Sequence, residues 1–151
     1  MLHSLFAQSP LLIDIRDAII AGSTGRMAMI LLIYLGPLLG LPRIDAVSML
    51  GSLAVKNKES AVTLGGAIHF SIGVFFALVY AALWRVGIGS PTWYWGIIYG
   101  AVHGILVIFL LLVAMRLFPQ LSEHFTSGTM AIAILLNHII YGLVVAVVYT
   151  S

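Results

Sequence analysis

Four stretches of the chain, at about 17–41, 61–84, 93–115 and 129–150, are each long and apolar enough to cross a membrane as a helix. Together they take up most of its 151 residues. A hydrocarbon core about 30 Å thick needs roughly 20 residues of α-helix, and helices satisfy every backbone polar group without help from water. The composition agrees, with 62% hydrophobic and 8% charged residues against about 45–50% and about 25% in soluble domains. The expected fold is therefore an all-α integral membrane protein, a four-transmembrane-helix bundle forming a single domain over 1–151, with the lipid bilayer as its first partner.

The remaining totals exclude more than they assign. Seven Lys plus Arg and five Asp plus Glu leave a net charge of +2, with no basic cluster to neutralise a run of phosphates, so no nucleic-acid partner is expected. No cysteine is present, which removes disulfides, thiolate metal sites and cysteine nucleophiles. The first ten residues have no basic region, and Leu11-Leu12-Ile13 is followed by Asp14, Arg16 and Asp17, so no secretory signal is expected.

The first stretch is interrupted by Arg26 and should bend at Gly36-Pro37 before Pro42 ends it. Between Pro42 and Ser60, Asp45 can cap a short helix over about 46–54, lying along the interface. The Gly/Ser/Pro-containing connection from Val86 to Thr92 makes the second and third stretches an antiparallel hairpin, with Trp84, Trp93 and Trp95 as an interfacial belt. Glu123 and His124 fall in the last loop, where a solvated or interfacial role is expected. Arg43, Lys56, Lys58 and Arg116 on one side, against Arg16 and Arg85 on the other, favour cytoplasmic loops and exterior termini.

Two of the stretches share one pattern. His69, Gly73, Ala77 and Tyr80 have the spacing of His138, Gly142, Ala146 and Tyr149, which reads as a duplicated helical hairpin with parallel copies. The glycines, including Gly73, Gly142, Gly100 and Gly104, read as packing positions that let helix backbones meet where lipid offers no hydrophobic drive.

Each stretch also carries one ionisable group near mid-membrane: Arg26, His69, His103 and His138. Such groups are costly in lipid and face the bundle interior or a wet cavity. The leading expectation is interhelical hydrogen bonding with no cofactor, Asn137, Ser71, Tyr80 and Tyr141 being candidate partners. The alternatives are a b-type haem between His69 and His138, a transition-metal site that adds His103, and a proton relay or small transporter. Arg26 either joins this cluster or snorkels to the interface. No serine has an acid/base neighbour suited to a nucleophile site.

The segment Gly40-Leu41-Pro42-Arg43-Ile44-Asp45, followed by Met49-Leu50-Gly51 and Ile68-His69-Phe70, resembles a family of small uncharacterised bacterial four-helix membrane proteins. Asn137-His138-Ile139-Ile140-Tyr141-Gly142 is similar to that family's last helix, and the resemblance runs over about 17–150. It implies the bacterial inner membrane and importance for Asp45, His69 and His138, with no activity to carry over; Arg26 departs from the small apolar residue expected there. The functional expectation is a non-enzymatic multi-pass protein, an accessory or structural subunit working with other membrane subunits or as a homo-oligomer.

Overall fold

The computed structural model of the chain describes residues 14–119, 121 and 128–149; Glu123 and His124 lie outside them. The elements are α1 (Ile15–Leu35), a 3-10 turn (Gly36–Leu39), the short α2 (Ala46–Ser52), α3 (Lys58–Arg85), α4 (Trp93–Leu117) and α5 (Gly128–Val148). Four of these helices are long and apolar enough to cross a membrane, so the chain has the make-up of a multi-pass membrane protein.

Side-chain caps set several helix starts. Asp14 Oδ1 accepts from the Asp17 amide at 3.0 Å, Asp45 Oδ1 from Ser48 at 3.1 Å, and Asn57 Oδ1 from Ser60 at 3.1 Å, each meeting an amide that has no partner in the first turn. Asp14 is thus the cap of α1, and the helix runs unbroken through Arg26, the interruption expected from sequence. At Gly36-Pro37 the α-helix tightens into the 3-10 turn instead of bending and continuing. Gly40, at φ 78°, closes that turn by donating to Pro37, a conformation that suits glycine.

α4 and α5 pack most closely, α1 packs on both α3 and α5, and α2 folds back on the start of α3. Glycines decide how near these pairs come. A side-chain carbon on Gly96 would lie 2.5 Å from the Gly142 carbonyl oxygen, and one on Gly142 would strike the Gly96 carbonyl and the Gly100 backbone. Gly51 and Gly65 play the same part between α2 and α3, meeting the Ala61 and Val47 carbonyls.

α3 and α4 behave differently. Although only a short loop joins them, their backbones stay apart, and aromatic rings occupy the space nearest the loop. Trp84 stacks on Tyr99 at 5.8 Å and 11°, Tyr80 lies 5.0 Å from Tyr99, and Phe76 stacks on His103 at 3.7 Å. The hairpin expected from sequence is therefore splayed. Trp84 belongs to this buried cluster and not to an interfacial belt, whereas Trp93 is exposed.

The matching spacing of α3 and α5 is accompanied by unlike packing. The α1–α3 and α4–α5 contacts correspond, but the tight α1–α5 contact has no counterpart between α4 and α3. Gly73 and Gly142 differ accordingly: a carbon added at Gly73 would meet the Arg26 side chain, not a helix backbone.

Two outcomes follow. Gly142→Ala should destabilise the protein in detergent by about 1–3 kcal/mol, the usual range for overpacking, and by more than Gly73→Ala, since a side chain yields more readily than two backbones; thermal unfolding of both variants checks the order. Asp45→Ala should cost about 1 kcal/mol of local stability, read as faster hydrogen exchange confined to 46–52.

Candidate functional site

Arg26, His69, His103 and His138 each lie roughly 15–17 Å along their helices at 1.5 Å per residue, on α1, α3, α4 and α5. All four line one cavity of about 420 Å³. It runs from this level toward the end of the bundle carrying α2, where Ile44, Asp45 and Met49 form its far wall. Leu111, Met130 and Ile134 contribute a small apolar cluster at that end.

Arg26 is 4% exposed, so it joins the cluster and does not snorkel. α1 brings it inward because Ala18, Ala21, Gly22, Gly25, Arg26 and Met29 share the buried face of that helix. Its Nη1 donates to His69 Nε2 at 2.9 Å and to Met29 Sδ at 3.2 Å, and its Nη2 donates to the His69 carbonyl. The guanidinium carbon lies 5.8 Å from the centre of the Tyr141 ring, within the reach of a cation–π interaction. The absence of side chains at Gly73 and Gly25 makes room for Arg26 and Tyr141 respectively. Tyr141 in turn donates its hydroxyl to the Gly73 carbonyl. Two carbonyls one turn apart on α3 thus accept from α1 and from α5, joining three helices at this depth.

The hydrogen bonds assign the tautomers of the neutral imidazoles. A guanidinium only donates, so His69 Nε2 accepts and the ring proton sits on Nδ1. His138 Nδ1 lies 2.7 Å from the Ile134 carbonyl, which only accepts, so Nδ1 donates. The Tyr80 hydroxyl donates to the Tyr99 carbonyl at 3.1 Å and accepts from His103 Nδ1, also at 3.1 Å. All three rings carry their proton on Nδ1. The Nε2 lone pairs of His103 and His138 have no donor among the described residues, and both side chains line the cavity.

These engagements change the expected grouping. The ring packed against His138 is that of His103, 4.7 Å away and edge-on, while His69 turns to Arg26. Haem ligation by His69 and His138 does not fit, because the Nε2 lone pair of His69 is taken by a guanidinium whose charge would also oppose the iron. No group of three His, Cys, Asp or Glu side chains among the described residues is placed to hold a metal ion, so the metal site that includes His103 is not assembled.

Of the hydrogen-bond partners anticipated for the histidines, Tyr80 serves His103 and Ser71 faces outward. Asn137 lines the cavity and donates to the Ala133 carbonyl at 2.9 Å. Its Oδ1 and the Nε of Arg26 are buried without a hydrogen-bond partner among the described residues. Asp45, anticipated as a cap, also lines the far end of the cavity.

Sequence reasoning passed over the opening of the cavity. Ile72 and Phe75 on α3 and Leu106 and Leu110 on α4 line it and yet are 36%, 59%, 41% and 54% exposed. The gap between α3 and α4 is therefore a sideways window at membrane depth. Alternating exposure along two helices that look uniformly apolar leaves no sequence signal for it. Gly22 and Gly25 were also passed over, although their spacing with Ala18, Arg26 and Met29 traces one helix face.

Comparison with curated proteins and with solved structures finds no match. One family does match, over residues 12–151, nearly the whole chain and every element described above. The chain belongs to DUF6789, a family of unknown function.

Proposed function

We propose that this protein is a non-enzymatic membrane-embedded binding protein that takes up one small apolar molecule from the bilayer, as an accessory component of a bacterial inner-membrane assembly. The observation that carries the reading is the cavity at mid-membrane depth, apolar along its length, polar at its inner end and open sideways between α3 and α4. Its volume of about 420 Å³ falls within the roughly 300–1,000 Å³ typical of small-molecule sites. A few polar groups converging in an otherwise apolar lining is the usual arrangement for orienting a ligand.

The lining also favours binding over chemistry. Among the described residues it contains no serine, threonine, tyrosine, lysine or cysteine, and the one described carboxylate in it, Asp45, is engaged as a helix cap. The accessory role draws support from the outward faces, where large apolar side chains such as Leu31, Val102, Phe109 and Val147 stand exposed to lipid or to neighbouring subunits. The balance of basic residues, four against two, favours a cytoplasmic side for α2 and the far end of the cavity.

Met130→Trp, which fills the far end of the cavity, provides the test. Protein purified from membranes under mild conditions should release about one apolar molecule per chain on organic extraction, detected by mass spectrometry, and should show no Soret band and no stoichiometric metal. The folded Met130→Trp variant should release several-fold less. Equal release from both proteins would overturn the reading, and a Soret band abolished by His69→Gln would replace it with haem binding.

A further inference from the structure

We propose that the molecule held in this cavity is a single-chain amphiphile with a carboxylate head, its head paired with Arg26 and its chain lying between α3 and α4. The inference rests on the binding reading above and names the chemical class of the ligand.

Arg26 carries a charge that no described carboxylate pairs with. A cationic side chain at the centre of a bilayer costs about 2.5–3.5 kcal/mol on insertion scales, and such groups pair with an opposite charge or with carbonyls. Arg26 is buried at this depth with a thioether, an imidazole nitrogen, one carbonyl and an aromatic face as its partners. All are neutral. Every described carboxylate sits at a helix end: Asp14 and Asp17 start α1, Asp45 starts α2 and Glu59 starts α3. A guanidinium has five N–H bonds, and three have acceptors here. The inner end of the cavity therefore contains a fixed positive charge with spare donor capacity, and no described carboxylate pairs with it; Asp45, at the far end, is held as the cap of α2.

Three features narrow the ligand. First, among the described residues Arg26 is the only cationic side chain lining the cavity, so a monoanion pairs with it one to one, whereas a phosphate bearing about −1.5 to −2 charges would leave an excess. Secondly, apart from Asp45 at the far end, the wall beyond the polar cluster is aliphatic, thioether and phenyl, with Met29, Ile33, Met49, Val107, Leu111 and Ile134 among its residues. That lining suits an alkyl chain. Thirdly, the volume is near the low end for ligand sites, which suits one chain and not the two of a phospholipid. The sideways window lets such a molecule arrive from the bilayer, head at mid-depth, without crossing water. The unpartnered Asn137 Oδ1 and the Nε2 lone pairs of His103 and His138 accept from the acid's hydroxyl if it arrives protonated.

The test uses the full-length protein in nanodiscs of a neutral two-chain lipid. Binding of hexadecanoate, hexadecanol, methyl hexadecanoate and hexadecyl phosphate is measured by native mass spectrometry and by the shift in unfolding temperature. The parent protein should bind hexadecanoate at least about tenfold more tightly than the methyl ester, a difference of ~1.4 kcal/mol. In Arg26→Gln that preference should fall to about one while the methyl ester still binds. If Arg26→Gln does not fold, the comparison of head groups on the parent protein decides by itself. Equal binding of all the head groups to the parent overturns the charge pairing and leaves the binding reading in place. Tighter binding of the alkyl phosphate than of the carboxylate also overturns the ligand class. No binding of any chain, with Met130→Trp making no difference, overturns both.

Discussion

The contact on which the interior depends is the crossing of Arg26 from α1 to α3. A guanidinium at that depth is tolerated only if the surrounding helices supply acceptors and exclude lipid, and each neighbouring choice follows from that need. Gly73 leaves space for the side chain, the His69 carbonyl and ring accept from it, and the face of Tyr141 lies against it. Tyr141 fits because Gly25 has no side chain, and its hydroxyl finds the Gly73 carbonyl. An interhelical hydrogen bond in a membrane contributes about 0.6 kcal/mol on average, so no one of them holds the helices together. Their joint effect is to set the rotation of α1, α3 and α5 about their own axes, since only one rotation satisfies all of them.

The second organising feature is a division between glycine-mediated and aromatic-mediated contacts. Along α4 and α5 the glycines bring backbone to backbone, which maximises dispersion contact where water offers no drive. Between α3 and α4, Tyr80, Trp84, Tyr99, Phe76 and His103 fill the space with rings instead, which keeps the helices a ring's width apart. Beyond the last of these rings the separation is unfilled, and the cavity begins. The same rings limit the cavity at one end while α2 limits it at the other, so its length is set by where the rings filling the space between α3 and α4 stop, at Phe76 and His103.

Much of the architecture was legible from the chain itself. The four long apolar helices, the Asp45-capped short helix and the shared depth of Arg26, His69, His103 and His138 follow from hydropathy, cap chemistry and the roughly 1.5 Å rise per residue of a helix, whereas at Gly36-Pro37 the sequence showed that the helix is disturbed and not that it ends in a 3-10 turn. Boundaries moved by a few residues because caps such as Asp14 and Asn57 start helices in polar sequence that hydropathy discounts. The pairing of the histidines was not legible. Equal spacing to Gly73 and Gly142 implies equal surroundings only if both helices meet the same kind of neighbour, and here one glycine meets a side chain and the other a backbone.

The sequence by itself determined that this chain has four helices long and apolar enough to cross a membrane and that its few buried polar groups lie at one level, because both are properties of single helices: length, apolar content and axial position. Only the tertiary structure decided which of those groups touch, and that α3 and α4 stand open where the other helices close. Those facts depend on the rotation and separation of helices, which result from many small contacts between segments distant in the chain and leave no period or motif along it.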